Sequence, residues 1–124
     1  MASTRSRSPI VPPVAKARVE VDPNCAACGL LGHKWAPQIV AVLLSGPHRF
    51  TALHRALPAL SEKVLSRRLD ELETAGLVSR TQFAEIPPRV EYALTPIGLE
   101  LRDGLAELDR WSRRYVLRLE QEQR

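Results

Sequence analysis

The sequence predicts a mainly helical domain that carries one small β-hairpin, and three observations lead there. The first is Ser61 to Val78, which reads as one capped amphipathic helix. Ser61 is a good N-cap, Glu62 stands in the first turn, and Val64, Leu65, Leu69 and Leu72 recur at three- and four-residue steps before Gly76 marks the stop. The second is a shorter helix, from a Thr51 cap to about Leu57, separated from the first only by Pro58-Ala59-Leu60. That is the spacing of a helix-turn-helix. The third is a change of period after Gly76: Leu77 to Phe83 and Val90 to Leu94 are β-prone runs on either side of a Pro87-Pro88 turn. A helix-turn-helix followed by such a hairpin is a winged helix-turn-helix, and its terminal helices are the expected dimer contacts.

The remaining elements fall into place around that centre. Residues 1–18 carry Arg5, Arg7 and several prolines with little periodicity, and are expected to form a disordered basic arm. Residues 19–120 form the domain with its dimerisation helix, and 121–124 a tail. Asp22-Pro23 is a cap followed by a first-turn proline, so the first helix is predicted from Pro23 to about Leu31, with Gly32 ending it. Lys34-Trp35 leads into a second helix, Ala36 to Leu44, where Pro37 is tolerated in the first turn and Trp35 is expected to anchor the core. Ser45-Gly46-Pro47 is a turn, and His48-Arg49-Phe50 a short extended piece. Thr95-Pro96 repeats the cap-then-proline start of a long helix reaching about Glu120. Its apolar stripe runs through Leu101, Leu105, Leu108, Trp111 and Tyr115, longer than a compact winged domain needs, so the excess predicts a homodimer with Leu30 and Leu31 of the first helix as partners.

Length and charge bound the function. At 124 residues the chain is one domain, and its net charge of +4 suits a polyanionic partner. The longest apolar run, Ile39 to Leu44, has six residues, far short of the roughly 18 a membrane helix needs, so no membrane partner is expected. Two cysteines without a secretory signal argue for a reducing compartment, and the expected location is the cytoplasm, on the nucleoid. No catalytic constellation converges: there is no glycine-rich phosphate loop and no metal motif, so an enzyme, a cofactor and a metal site are not expected.

Chemistry concentrates on the helix after Ser61. Its outward positions in the first two turns are Lys63, Ser66 and Arg67, whereas Asp70, Glu71 and Glu73 follow. Cations ahead of acids let the N-terminal half meet DNA phosphates and base edges without carboxylate repulsion. Ser61 offers its cap and helix-end amides to phosphate, and Arg68, although its spacing puts it at the core margin, is counted with the DNA-facing residues. His54 and Arg55 on the preceding helix are expected near the backbone, and Arg89 at the hairpin tip is the expected wing contact, with Arg80 at its base expected as a stem packed on the sheet. Two such heads related by a two-fold axis would read a palindromic duplex operator. The alternative is a winged module that binds protein, its basic face merely solvated.

Cys25 and Cys28 stand one helical turn apart. Three readings are open: small packing residues with Cys28 buried, which is favoured; a redox pair in which Cys28 resolves an oxidised Cys25; and metal binding with His33 or His48.

The run Gly32-His33-Lys34-Trp35, then Gly46, Arg49-Phe50, Leu53, the helix to Leu72, Gly76-Leu77-Val78, Arg80, Pro88, Val90, Glu91-Tyr92, Leu94-Thr95, Gly98, Leu101 and Trp111 resembles the HxlR family of winged helix-turn-helix transcription regulators, which are MarR-like. The match covers about residues 22 to 112, in the family's order and spacing. The resemblance implies a dimeric, sequence-specific DNA-binding regulator that represses or activates nearby genes. It also implies a place for a sensing cysteine, a Cys-Pro pair thirteen residues before the tryptophan; here that pair is Asp22-Pro23, so a sensing role does not carry over residue by residue.

Overall fold

A computed structural model describes residues 22–123, so the expected arm and the last tail residue lie outside the described residues. The chain runs α1 (Ala26–Leu31), α2 (Ala36–Leu43), β1 (His48–Arg49), α3 (Phe50–Ala56), α4 (Glu62–Thr74), β2 (Val78–Phe83), β3 (Arg89–Leu94), α5 (Pro96–Leu99) and α6 (Arg102–Glu122). The strands form one antiparallel sheet in the order β1-β3-β2. His48 pairs with Tyr92 on one side of β3, and Val78 to Phe83 run against Leu94 to Arg89 on the other. This is the winged helix-turn-helix that the sequence predicts.

The core lies where α2, α3, α4 and the base of the hairpin meet. Ala36, Ile39, Val40 and Leu43 are buried along α2, and Leu65, Leu69 and Leu72 along α4, each set at the helical period. Leu53, Leu60, Val78, Tyr92 and Leu94 close the cluster. Each fully buried aliphatic side chain contributes about 1.5–3 kcal/mol, enough together to fix the angle at which α4 is presented.

Helix α4 is defined at both ends by its own sequence. The Ser61 hydroxyl accepts from the Val64 amide at 3.2 Å. At the other end Gly76 takes φ 82°, and the Leu77 amide donates back to the Leu72 carbonyl at 3.0 Å, the Schellman closure that a left-handed residue permits. Thr95 then ties this end to the next element. Its hydroxyl donates to the Gly76 carbonyl at 2.7 Å and accepts from the Gly98 amide at 3.2 Å.

Several boundaries differ from expectation. Asp22-Pro23 does not begin a helix: the Asp22 carboxylate accepts from the Asn24 amide at 2.9 Å, an Asx-type turn, and α1 starts only at Ala26 with Cys25 as N-cap. Thr51 is not a cap, because the pairing of His48 and Arg49 with β3 carries the chain straight into α3 at Phe50. The long C-terminal helix is interrupted at Glu100 and Leu101, whose amides bond three residues back to Ile97 and Gly98. Trp35 packs against the core as expected, but from a left-handed backbone with φ 77°, a conformation that costs a side-chain-bearing residue roughly 1–2 kcal/mol. Among the described residues no helix is long and apolar enough to cross a membrane.

Candidate nucleic-acid interface

One face of α4 is core and the other is open. Leu65, Leu69 and Leu72 are fully buried, whereas Ser61, Glu62, Lys63, Ser66, Arg67 and Asp70 are exposed. Lys63, Ser66 and Arg67 therefore share one solvent-facing surface in the first turns, and neither cation has a carboxylate partner among the described residues. Glu62 is the one acid at this end, where the helix dipole favours it.

Arg68 departs from the set predicted to touch DNA. Its side chain is only 16% exposed, with Nη1 3.1 Å from a Glu71 carboxylate oxygen. Its Nε donates to the Lys34 carbonyl at 2.8 Å. One helical step from Arg67, it turns inward and fastens α4 to the loop before α2. Glu71 also stands 3.7 Å from His33 Nδ1, so the loop is held by two side chains of α4. His54 is similarly committed: its Nε2–H donates to the Leu60 carbonyl at 2.8 Å, closing the turn between α3 and α4. Arg55 remains exposed on the same helix.

The wing differs from the expected free cation at its tip. Arg89 is the first residue of β3, held by Glu85 at 2.9 Å and Glu91 at 3.5 Å, with its guanidinium 4.1 Å from the centre of the Phe83 ring. Arg80 of β2 and Arg49 before α3 are exposed, and sequence reasoning left both outside the candidate set. Their signal was the β alternation and the Arg-Phe junction. Burial of a two-residue strand's flanks cannot be read from so short a run.

The chain's second open surface is α6, in which no residue is buried. Leu101 and Leu105, predicted for a dimer contact, are half-buried against the chain's own core together with Leu30. Leu108, Trp111 and Tyr115 stay 49–55% exposed, and the two rings stack 5.2 Å apart. An apolar cleft of about 540 Å³ opens between α1 and α5, lined by Ala26, Leu30, Leu31, Leu77, Ile97 and Leu101 among others.

Cys25 is half-buried and Cys28 exposed, so Cys28 is not the buried packing residue favoured from sequence. The two side chains are hydrogen-bonded, and Cys25 holds the Cys28 thiol above the ordinary cysteine range. His48 Nδ1 contacts the Gly46 carbonyl at 2.7 Å, and His33 faces Glu71. Among the described residues no three His, Cys, Asp or Glu side chains group as metal ligands.

Residues 30–120 match the model of the HxlR-like helix-turn-helix family. The chain belongs to that family. As an HxlR-like protein it is 42% identical over 90 residues to the HTH-type transcriptional regulator YvaP of Bacillus subtilis strain 168, covering 73% of this chain and 83% of YvaP. Among solved structures, the reduced form of the B. subtilis transcriptional regulator YodB superposes with a TM-score of 0.68 at 36% identity, over 75% of this chain and 92% of YodB. The redox regulator HypR in its reduced form gives 0.71 at 31% identity, over 78% of this chain and 98% of HypR. The HxlR-like chain is thus a transcription regulator of the helix-turn-helix type and not an enzyme, built on the MarR-like winged fold.

Proposed function

We propose that the protein is a homodimer that reads a palindromic duplex operator, each subunit placing the N-terminal half of α4 in the major groove. The observation that carries this reading is the exposed Lys63, Ser66 and Arg67 surface on a helix whose opposite face is locked into the core. A rigidly held cationic helix end can fix its register on phosphates and still direct side chains to base edges. Ser61 and Arg55 add backbone contacts, and Arg68 and His54 hold the head in position. The homodimer reading is supported by the unburied α6, whose Leu108, Trp111 and Tyr115 would otherwise stay in water, and by the apolar cleft beside α1. Such a regulator acts on cytoplasmic DNA.

Selection of bound duplexes from random DNA tests it. Recovery of an inverted repeat with half-sites about one helical turn apart is the expected result. Recovery of no preferred sequence, together with binding that does not fall with salt, would leave the protein-interaction module as the better reading.

A second reading, that binding is redox-controlled, is favoured by the contact between Cys25 and Cys28. YodB and HypR are described in reduced and oxidised or diamide-treated forms. In this chain the step would lie within one subunit. The Cys25 thiolate attacks a hydroperoxide, breaking its O–O bond and releasing the alcohol, to give a sulfenic acid. The Cys28 sulfur then displaces water and leaves a disulfide, two electrons having passed to the peroxide. Mild peroxide should lower DNA affinity, dithiothreitol should restore it, and Cys25→Ser should abolish the response; equal affinity of oxidised and reduced protein would make both cysteines structural.

A further inference from the structure

The hairpin between Val78 and Leu94 holds four charged residues, Arg80, Glu85, Arg89 and Glu91, so its formal charge is zero. Its one cation near the tip is enclosed. Arg89 Nη2 lies 2.9 Å from Glu85 Oε2, Nη1 lies 3.5 Å from Glu91 Oε2, and the guanidinium sits over Phe83, its cross-strand neighbour. Nε is buried without a partner. These contacts are not equivalent. Phe83 and Glu91 are strand residues, and Glu91 is on the central strand, paired to Thr81 on one side and Arg49 on the other. Glu85 is in the loop between the strands and is the most exposed partner, at 48% against 27% for Glu91. Two strand residues orient the guanidinium; the loop carboxylate occupies the edge that remains.

A guanidinium edge bonds a carboxylate and a phosphate with the same forked geometry. Resting on the DNA-binding reading above, we propose that Glu85 is a built-in competitor for the wing arginine: Arg89 reaches a DNA phosphate only by exchanging the Glu85 carboxylate for a phosphate oxygen. Glu85 thereby lowers duplex affinity and flattens its dependence on salt. The second effect follows from counting ions. Neutralising one phosphate releases its condensed counterion, but uncovering Glu85 draws a cation back, so the exchange is nearly silent in a salt titration. Without the carboxylate, the release is no longer cancelled.

The test uses the full chain and the variants Glu85→Gln, Glu85→Ala, Arg89→Gln and the Glu85→Gln/Arg89→Gln double variant, each checked for an unchanged thermal transition. Affinity for a random-sequence duplex is measured by fluorescence anisotropy across a salt series, because a phosphate contact carries no sequence information. Both Glu85 variants should bind about two- to fivefold more tightly at low salt, the range an exposed ion pair commands. Their slope of log affinity against log salt should steepen by about 0.9 per wing engaged. The gain should vanish when Arg89→Gln is present. Unchanged or weaker binding by the Glu85 variants overturns the proposal. So does a gain that persists in the Arg89→Gln background, which would reflect only the loss of a negative charge near DNA. If the wild-type chain binds no duplex at all, the DNA-binding reading fails and the proposal with it; wild-type binding with silent Glu85 variants defeats the competitor alone.

Discussion

At the scale of single residues, neighbouring arginines on α4 have opposite fates. Arg67 is exposed, while Arg68, rotated by one helical step, is fastened to Glu71 and to the Lys34 carbonyl. Arg67→Ala should cost about 1–3 kcal/mol of specific binding and relax base preference at one position of each half-site, which competition against a duplex library would read. A uniform loss over all sequences would reduce Arg67 to a phosphate contact. Arg68 was placed among DNA-facing residues because a long cation at a core margin can point either way. Only the position of the Lys34 carbonyl, 34 residues away in the chain, selects the inward rotamer.

At the scale of elements, the junction between α4, the hairpin and α5 is closely packed at Gly98. A Cβ built on Gly98 would stand 2.3 Å from the Leu77 carbonyl oxygen, a backbone atom that cannot swing aside. Gly98→Ala should therefore destabilise by about 1–3 kcal/mol, the usual cost of overpacking. A fall in Tm of roughly 4–8 °C per kcal/mol is expected for a domain of this size, and a scanning calorimeter would record it. An unchanged Tm would mean that α5 can drift off the strand, and that the Thr95 hydroxyl does not hold it. The same junction explains the break before α6: the first turn, committed to Thr95 and Leu77, hands over through bonds of the tighter three-residue type at Glu100 and Leu101.

At the scale of the whole molecule, α6 divides the predicted stripe by function. Its start belongs to the subunit, since Leu101 and Leu105 pack on the core. Its remainder, from Leu108 onward, is left largely open by the described residues, with Leu108 55% exposed. Placing Asp at Leu108 should leave the subunit folded, because that side chain contributes little to the subunit's own core. Burying an unpaired carboxylate between two subunits costs several kcal/mol. Sedimentation should thus show a dimer for the parent and a folded monomer for Leu108→Asp, with specific binding lost and weak, salt-sensitive binding retained. A monomeric parent that still protects two half-sites would sink the homodimer.

What the sequence by itself determined are the features encoded within a turn or two of chain. The Ser61 cap, the Gly76 stop, the apolar period of α4, the alternation of the hairpin and the short turn between α3 and α4 are local, and together they specify the winged fold and an outward row of Lys63, Ser66 and Arg67. The start of α1 was misread because Asp22-Pro23 satisfies an Asx turn as well as a helix cap, and nothing nearby favours the cap. Tertiary structure alone decided the partners of long side chains. Arg68, Arg89 and His54 each have several rotamers that suit the local backbone, and a carbonyl or carboxylate supplied by another segment selects among them. The exposure of Cys28 and the division of α6 between core and surface were decided in the same way, since helical periodicity names the face of a helix but not what stands opposite it.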